Sequence, residues 1–144
     1  MTTSWLYKPW IGFATALLYL LSLLLPAAGW GNEPPGPGWG MLALGWLGFL
    51  NGQFGWFANI GFLMSWALVR GRRPPNGALL VFVLILIVLP ALQTFAWHEV
   101  QTDSGRFAAH VGPGYVLWLA ALFIQAGWLI GRSAYVGMED SPFA

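Results

Sequence analysis

The sequence predicts an all-α, polytopic membrane protein: four transmembrane helices plus one helix, at about 39–50, lying at the interface or half-inserted. Three observations predict it. Of 144 residues, 58% are hydrophobic and only 8% carry charge, about a third of the charged share usual in a soluble domain. Formal charges are missing from 9–32, 34–69, 74–98 and 107–131, each longer than the roughly 20 apolar residues a helix needs to cross a bilayer. Aromatic residues gather near the ends of these stretches, where amphipathic rings settle at headgroup depth. The net charge of +1 offers no field for a polyanion, so nucleic acid is not expected as a partner. The absence of cysteine excludes disulfide frameworks, Cys-ligated zinc, iron–sulfur clusters and thiol nucleophiles.

The whole chain reads as one membrane domain. The first span is expected over 10–28, through the run from Leu17 to Leu25, with Pro26 tolerated in its last turn. Ala27-Ala28-Gly29 offers a small-residue cleavage site. The apolar core, however, exceeds the roughly 7–15 residues of a signal peptide, so a retained signal anchor is expected. The run 34–69 is too long for one span and carries its own breaks: Pro34-Pro35-Gly36-Pro37-Gly38 and Asn51-Gly52-Gln53. Between them 39–50 is too short to cross and is read as the interfacial helix. The second span is then 54–69, ending at Arg70. The third, 78–97, is rich in β-branched residues, but its length in an apolar medium argues for helix. Pro90 is expected to kink it. The fourth covers 115–130 and stops at Gly131-Arg132.

Four crossings put both termini on one side. Lys8, Arg70, Arg72, Arg73 and Arg132 then share that side and Arg106 stands alone opposite. The positive-inside rule makes the termini and the 70–77 loop cytoplasmic, with 29–53 and 98–114 facing outward. Trp5, Tyr7, Trp10, Trp66, Trp128 and Tyr135 fall near the inner boundary. Trp30, Trp39, Trp56, Trp97, Tyr115 and Trp118 form a heavier outer ring.

Two signals concern packing. Gly36-Pro37-Gly38-Trp39 and Gly112-Pro113-Gly114-Tyr115 echo each other ahead of apolar runs, which reads as two helical hairpins re-entering the membrane through similar turns, or simply as turn residues between helices. Gly48 and Gly52, and Gly127 and Gly131, are four apart and could admit close helix approach.

Chemistry has few candidates. No Asp, Glu, Lys, Arg or His falls within the four spans, whereas proton-coupled transporters and pumps usually place an ionisable residue at membrane depth. The polar groups there are Thr15, Ser22, Asn59, Ser65, Thr94 and Gln125. Hydroxyls can bond to the preceding helical turn. The two amides cannot do so comfortably, and they are expected to face other helices. Asn51, Gln53 and Asn59 could together form an outward-facing ligand site. His98, Glu99 and His110 lie in one outer loop and could bind zinc or copper, or hold a haem between the two histidines. Their spacing matches no helical metal motif, and solvated loop residues are the competing reading. No cofactor is expected.

The stretch Gly112-Pro113-Gly114-Tyr115-Val116-Leu117-Trp118-Leu119-Ala120 resembles the G-x-G-Y-x-L-W-L-A opening of the last helix in small four-span bacterial inner-membrane proteins without an established activity. The resemblance covers about ten residues and implies class and location only. Together these readings point to a non-enzymatic inner-membrane protein, an accessory or structural subunit partnered by the lipid bilayer and by other membrane helices or itself. An outward-facing binding or transport module and a metal- or haem-binding protein are the alternatives.

Overall fold

The computed structural model of the chain describes residues 9–70, 76–97, 99–102 and 105–139. It is mostly helical. Helix α1 (Pro9–Leu24) gives way at once to strand β1 (Pro26–Trp30). The span expected over 10–28 is therefore cut short. Pro26 has no N–H to continue the helical ladder, and its ring disfavours the helical region for Leu25.

Among the described residues three further strands form a sheet with β1: β2 (Gly36–Pro37), β3 (Glu99–Thr102) and β4 (Gly105–Val111), all antiparallel in the order β2-β1-β4-β3. Ala28 stands opposite Gly36 on one side and Val111 on the other. The segments 29–53 and 98–114, expected to face outward, thus contribute to a small sheet, which the purely helical expectation lacked. A signal for one half of it stands in the sequence. Val100 and Thr102, both β-branched, alternate with the polar Glu99 and Gln101 ahead of Asp103-Ser104-Gly105, a hairpin pattern.

Both Gly-Pro-Gly turns lead from a strand beside β1 into a helix: α2 (Gly38–Leu44) after β2, and α5 (Pro113–Glu139) after β4. They close on the end of α1 from two sides. Gly38 N donates to Leu25 O at 3.0 Å and Gly112 N to Ala27 O at 2.8 Å, taking carbonyls that the helix end and the strand leave free. The glycines are required by space. A Cβ on Gly38 would collide with Ser22 O, one on Gly112 with Pro26 O, and one on Gly114 would stand 2.7 Å from Leu25 O.

The helix expected at 39–50 is α-helical through Leu44 and tightens into a 3-10 segment over Gly45–Asn51. Gly52 stops it at φ +72°, with its N–H on Phe49 O at 3.0 Å. A 3-10 turn (Gly55–Phe57) leads into α3 (Ala58–Arg70), so the expected span 54–69 is regular helix only in its latter part. Helix α4 (Gly77–Gln93) is capped by the Asn76 side chain, which accepts from Ala78 N at 2.9 Å. It continues through the buried Pro90 and ends in a 3-10 turn, Thr94–Ala96.

Helix α1 lies along α5 and α3 along α4, with α5 touching both α3 and α4. Gly12 meets Trp128 at one end of the first pair, and Gly114 meets Ser22 at the other. In the second pair Gly61 meets Ile87, and Gly55, just before α3, meets Thr94 just after α4. Helices α1 and α4 therefore run toward the sheet, and α3 and α5 run away from it. Ile11, Tyr19, Phe62, Ile87, Leu122 and Leu129 fill the space between them.

Two helices, Gly77–Ala96 and Pro113–Ala134, are long and apolar enough to cross a membrane, and Trp10–Leu24 and Gly55–Val69 are shorter apolar helices. Close helix contact falls at Gly61, where a Cβ would stand 2.7 Å from Ile87 Cγ1 and 2.9 Å from Ile87 N. It does not fall at Gly127 and Gly131, which have nothing within 4 Å of a Cβ, while Gly48 meets only its neighbour Gln53. Thermal unfolding in detergent should show Gly61→Ala and Gly112→Ala each destabilising by about 2 kcal/mol, since backbone cannot give way cheaply. Gly127→Ala should stay within about 0.5 kcal/mol of the parent. Equal effects at all three positions would contradict these contacts.

Candidate functional site

Six polar residues are buried among the described residues: Thr15, Ser22, Asn59, Ser65, Thr94 and Gln125. Each hydroxyl reaches back to the carbonyl three residues earlier: Thr15 to Gly12, Ser22 to Tyr19, Ser65 to Phe62 and Thr94 to Ala91. These bonds fix the direction of the longer ones. Ser65 donates to Phe62 O, so its oxygen is free to accept Gln125 Nε2–H at 2.8 Å. Thr94 likewise donates to Ala91 O, which leaves Tyr115 as the donor across their 2.7 Å contact. Thr15 Oγ1 lies 2.7 Å from Gln125 Oε1 and 2.8 Å from Gly12 O, so its one proton is shared between two acceptors.

Asn59 is the second hub. Trp118 Nε1 can only donate, so the oxygen of the Asn59 amide must face it, at 2.8 Å. Tyr19 donates to the same oxygen at 3.0 Å, and Asn59 Nδ2 donates to Trp56 O at 2.9 Å. The Tyr19 ring stacks on Phe62 with centroids 4.5 Å apart and planes 11° apart. One amide thus joins α1, α3 and α5 near the sheet, and Gln125 joins the same three helices further from it.

Beside Asn59 lies a cavity of about 100 Å³, partly open to the surface and almost wholly apolar. Leu23 closes it from α1, Ala28 from β1, Met41 and Leu42 from α2, Trp97 from the chain after α4, and Tyr115 and Trp118 from α5. Two hydrogen-bonded struts hold α2 and its connection over this end. Trp56 Nε1 donates to Leu42 O at 2.7 Å. Gln93 grips the turn after the 3-10 segment with both ends of its amide, donating to Gly52 O and accepting from Phe54 N, each at 2.6 Å. The Trp97 Nε1 atom is buried without a partner.

Of the residues singled out in the sequence, Asn59 lines the cavity and Asn51 and Gln53 do not. Asn51 is exposed at the end of the 3-10 segment, and Gln53 packs locally, its N–H on Gly48 O at 2.9 Å. His98 lies outside the described residues. Glu99 stands opposite Ala108 in the ladder and so shares a sheet face with His110, one diagonal step along. His110 Nε2 lies 2.9 Å from Glu33 O and, facing a carbonyl, must carry the proton. Among the described residues no three His, Asp or Glu side chains gather to hold a metal.

Gln93, Tyr115, Trp97 and Trp118 were missed as site residues. Of the six aromatics expected in an outer ring, Trp56, Trp97, Tyr115 and Trp118 wall the cavity, while Trp30 and Trp39 are exposed. A headgroup ring and a cavity wall look alike in sequence, because both need amphipathic rings at one depth. Comparison with protein-family models, curated proteins and solved structures found no match, so geometry alone carries the functional reading.

Chemically, the arrangement consists of neutral donors and acceptors that hold helices in register around an apolar space. Asn59→Leu strands the Tyr19 hydroxyl and the Trp118 N–H in an apolar interior, at a cost of about 2–3 kcal/mol. Its unfolding midpoint in detergent should fall well below that of Ser133→Ala, which removes a bond at an exposed site. Matching midpoints would show that the amide does not hold the bundle.

Proposed function

We propose that this chain is an integral protein of a bacterial inner membrane that threads the bilayer four times with both ends cytoplasmic. It acts there without catalysing a reaction, as an accessory or structural subunit in contact with other membrane helices or a second copy. One observation carries the membrane reading: the distribution of polarity is inverted. Leu17, Leu20, Leu63, Phe82, Ile85, Val116 and Ile124 are exposed on the four helices, while the amides and hydroxyls point inward. Water would penalise that surface, whereas hydrocarbon accepts it.

The two shorter helices fit this reading through what adjoins them. Sixteen residues of α1 rise about 24 Å, short of a hydrocarbon core of about 30 Å. Beyond Leu24 the chain continues as β1, whose ladder partners on both sides supply hydrogen bonds that lipid cannot. Helix α3 is prolonged by the Gly55–Phe57 turn beneath α2. Modest local thinning of the bilayer accommodates the remaining mismatch. Arg132 lies at the end remote from the sheet and Arg106 in β4, which agrees with the charge bias that places the sheet outside.

The native lack of cysteine makes topology directly readable. In intact cells an impermeant maleimide should label Ser104→Cys, and should label Gly77→Cys only after permeabilisation; the reverse pattern contradicts the orientation. For the subunit role, gentle extraction should give particles of fixed stoichiometry whose protein mass exceeds one 15.8 kDa chain. A free monomer throughout would rule that role out.

A further inference from the structure

We propose that residues 39–54 form an in-plane element embedded in the outer leaflet, its exposed face covered by the upper acyl chains of the surrounding lipid. The inference rests on the four-span reading and deepens it by fixing how far the connection between α1 and α3 enters the membrane.

Three contacts put the connection at one height. At its start Gly38 donates to Leu25 O, and a Cβ there would stand 2.9 Å from Leu23 Cα. In its middle Leu42 O accepts from Trp56 Nε1, just ahead of α3. At its end Gly52 O and Phe54 N are both held by Gln93, the last residue of α4. Leu23 and Gln93 belong to the last turns of the two helices that run toward the sheet. The connection therefore crosses that end of the bundle along the membrane plane, and does not dip down beside the helices.

That height falls below the headgroups. At about 1.5 Å per residue, Leu23 stands about 20 Å beyond Trp10, and Gln93 about 24 Å beyond Gly77. Trp10 and Gly77 mark the inner boundary in the four-span reading. A hydrocarbon core of about 30 Å then leaves about 5–10 Å of acyl chain above the connection. In-plane helices bury their apolar faces to about that depth.

The residues suit this medium. From Trp39 to Leu50 no side chain carries a charge, an amide or a hydroxyl. Trp39, Leu44, Trp46, Leu47, Phe49 and Leu50 are exposed. Leu24, beside the start of the connection, and Leu92, beside its end, are exposed as well, so the apolar surface of α1 and α4 continues onto it. Lipid offers the backbone no partner, and the closing turn finds its own. Gly52 N bonds Phe49 O, Gln53 N bonds Gly48 O, and the Gln93 amide takes Gly52 O and Phe54 N. Asn51, exposed at that turn, sets the limit of depth. Its amide must reach ester groups or water, which keeps the element at the top of the acyl layer and away from the midplane.

The test attaches the fluorophore NBD to single cysteines replacing Leu44, Leu50 or Ile85 in the full chain. Each is reconstituted in phosphatidylglycerol–phosphatidylcholine vesicles containing a lipid with a nitroxide at the headgroup, high on the acyl chain or near its methyl end. Leu44→Cys and Leu50→Cys should lose most fluorescence to the nitroxide high on the chain, with matching profiles. Ile85→Cys, midway along α4, should lose most to the nitroxide near the methyl end. Strongest quenching from the headgroup at Leu44 or Leu50 overturns the embedding, and unlike profiles at the two overturn the in-plane course. Quenching by none of the three lipids there, the mark of a second copy or a partner helix over the face, overturns lipid as its cover. With Ile85 quenched as expected, each of these results removes the proposal and leaves the four-span reading. An Ile85 label quenched by no lipid removes both.

Discussion

A carboxamide removed from water must find its donors and acceptors in the protein, and two of them decide how this bundle is assembled. Gln125 bonds α1 through Thr15 and α3 through Ser65; Asn59 bonds α1 through Tyr19 and α5 through Trp118. The two amides act at levels roughly 9 Å apart along α3, taking about 1.5 Å for each of the six residues from Asn59 to Ser65. Three helices tied at two heights cannot slide or rotate independently. Such bonds contribute only about 0.6–1.7 kcal/mol each in membrane helices, so they specify register more than they supply stability. The fourth helix joins by shape, with Val83, Ile87 and Ala91 fully buried, and by Thr94 and Gln93 at its sheet end.

The sheet solves a second problem of the same kind. Where α1 stops, its last carbonyls and the backbone of β1 need hydrogen-bond partners that the helix no longer supplies. Two turns of the same composition supply them from either side, and each then starts a helix with its backbone against that of α1. The glycines in these turns follow from this crowding, as does the brevity of β2. Proline recurs at Pro26, Pro37 and Pro113 because each stands where a helix must end or begin.

Much of this was legible in the sequence. The helical character of 78–97 could be read from length against β-branching, and the inward placement of Asn59 and Gln125 from the cost of an unsatisfied amide. The six polar residues noted within the expected spans are the six polar residues buried among the described residues. What escaped was set by partners distant in the chain. Pro26-Ala27-Ala28-Gly29-Trp30 has no strand-like alternation, and it is extended because β2 and β4 flank it. Gly61 resembles any helical glycine until Ile87 is placed against it. Gln93 looks like an ordinary helix-end polar residue, and its grip on the 52–54 turn depends on a contact some forty residues away in sequence. The cavity was hidden for the same reason, since its walls come from five separate segments.

If hydrocarbon surrounds this bundle, the outward faces of the two short helices should behave like those of the two long ones. Nitroxide labels on single cysteines at Leu17, Leu63, Ile85 and Ile124, one exposed position on each of α1, α3, α4 and α5, can be compared by power-saturation resonance in reconstituted bilayers. All four should collide more often with oxygen than with a water-soluble nickel chelate. Preferential access of the nickel chelate at Leu17 or Leu63 would show that α1 or α3 lies in water, and the four-span bundle would be contradicted.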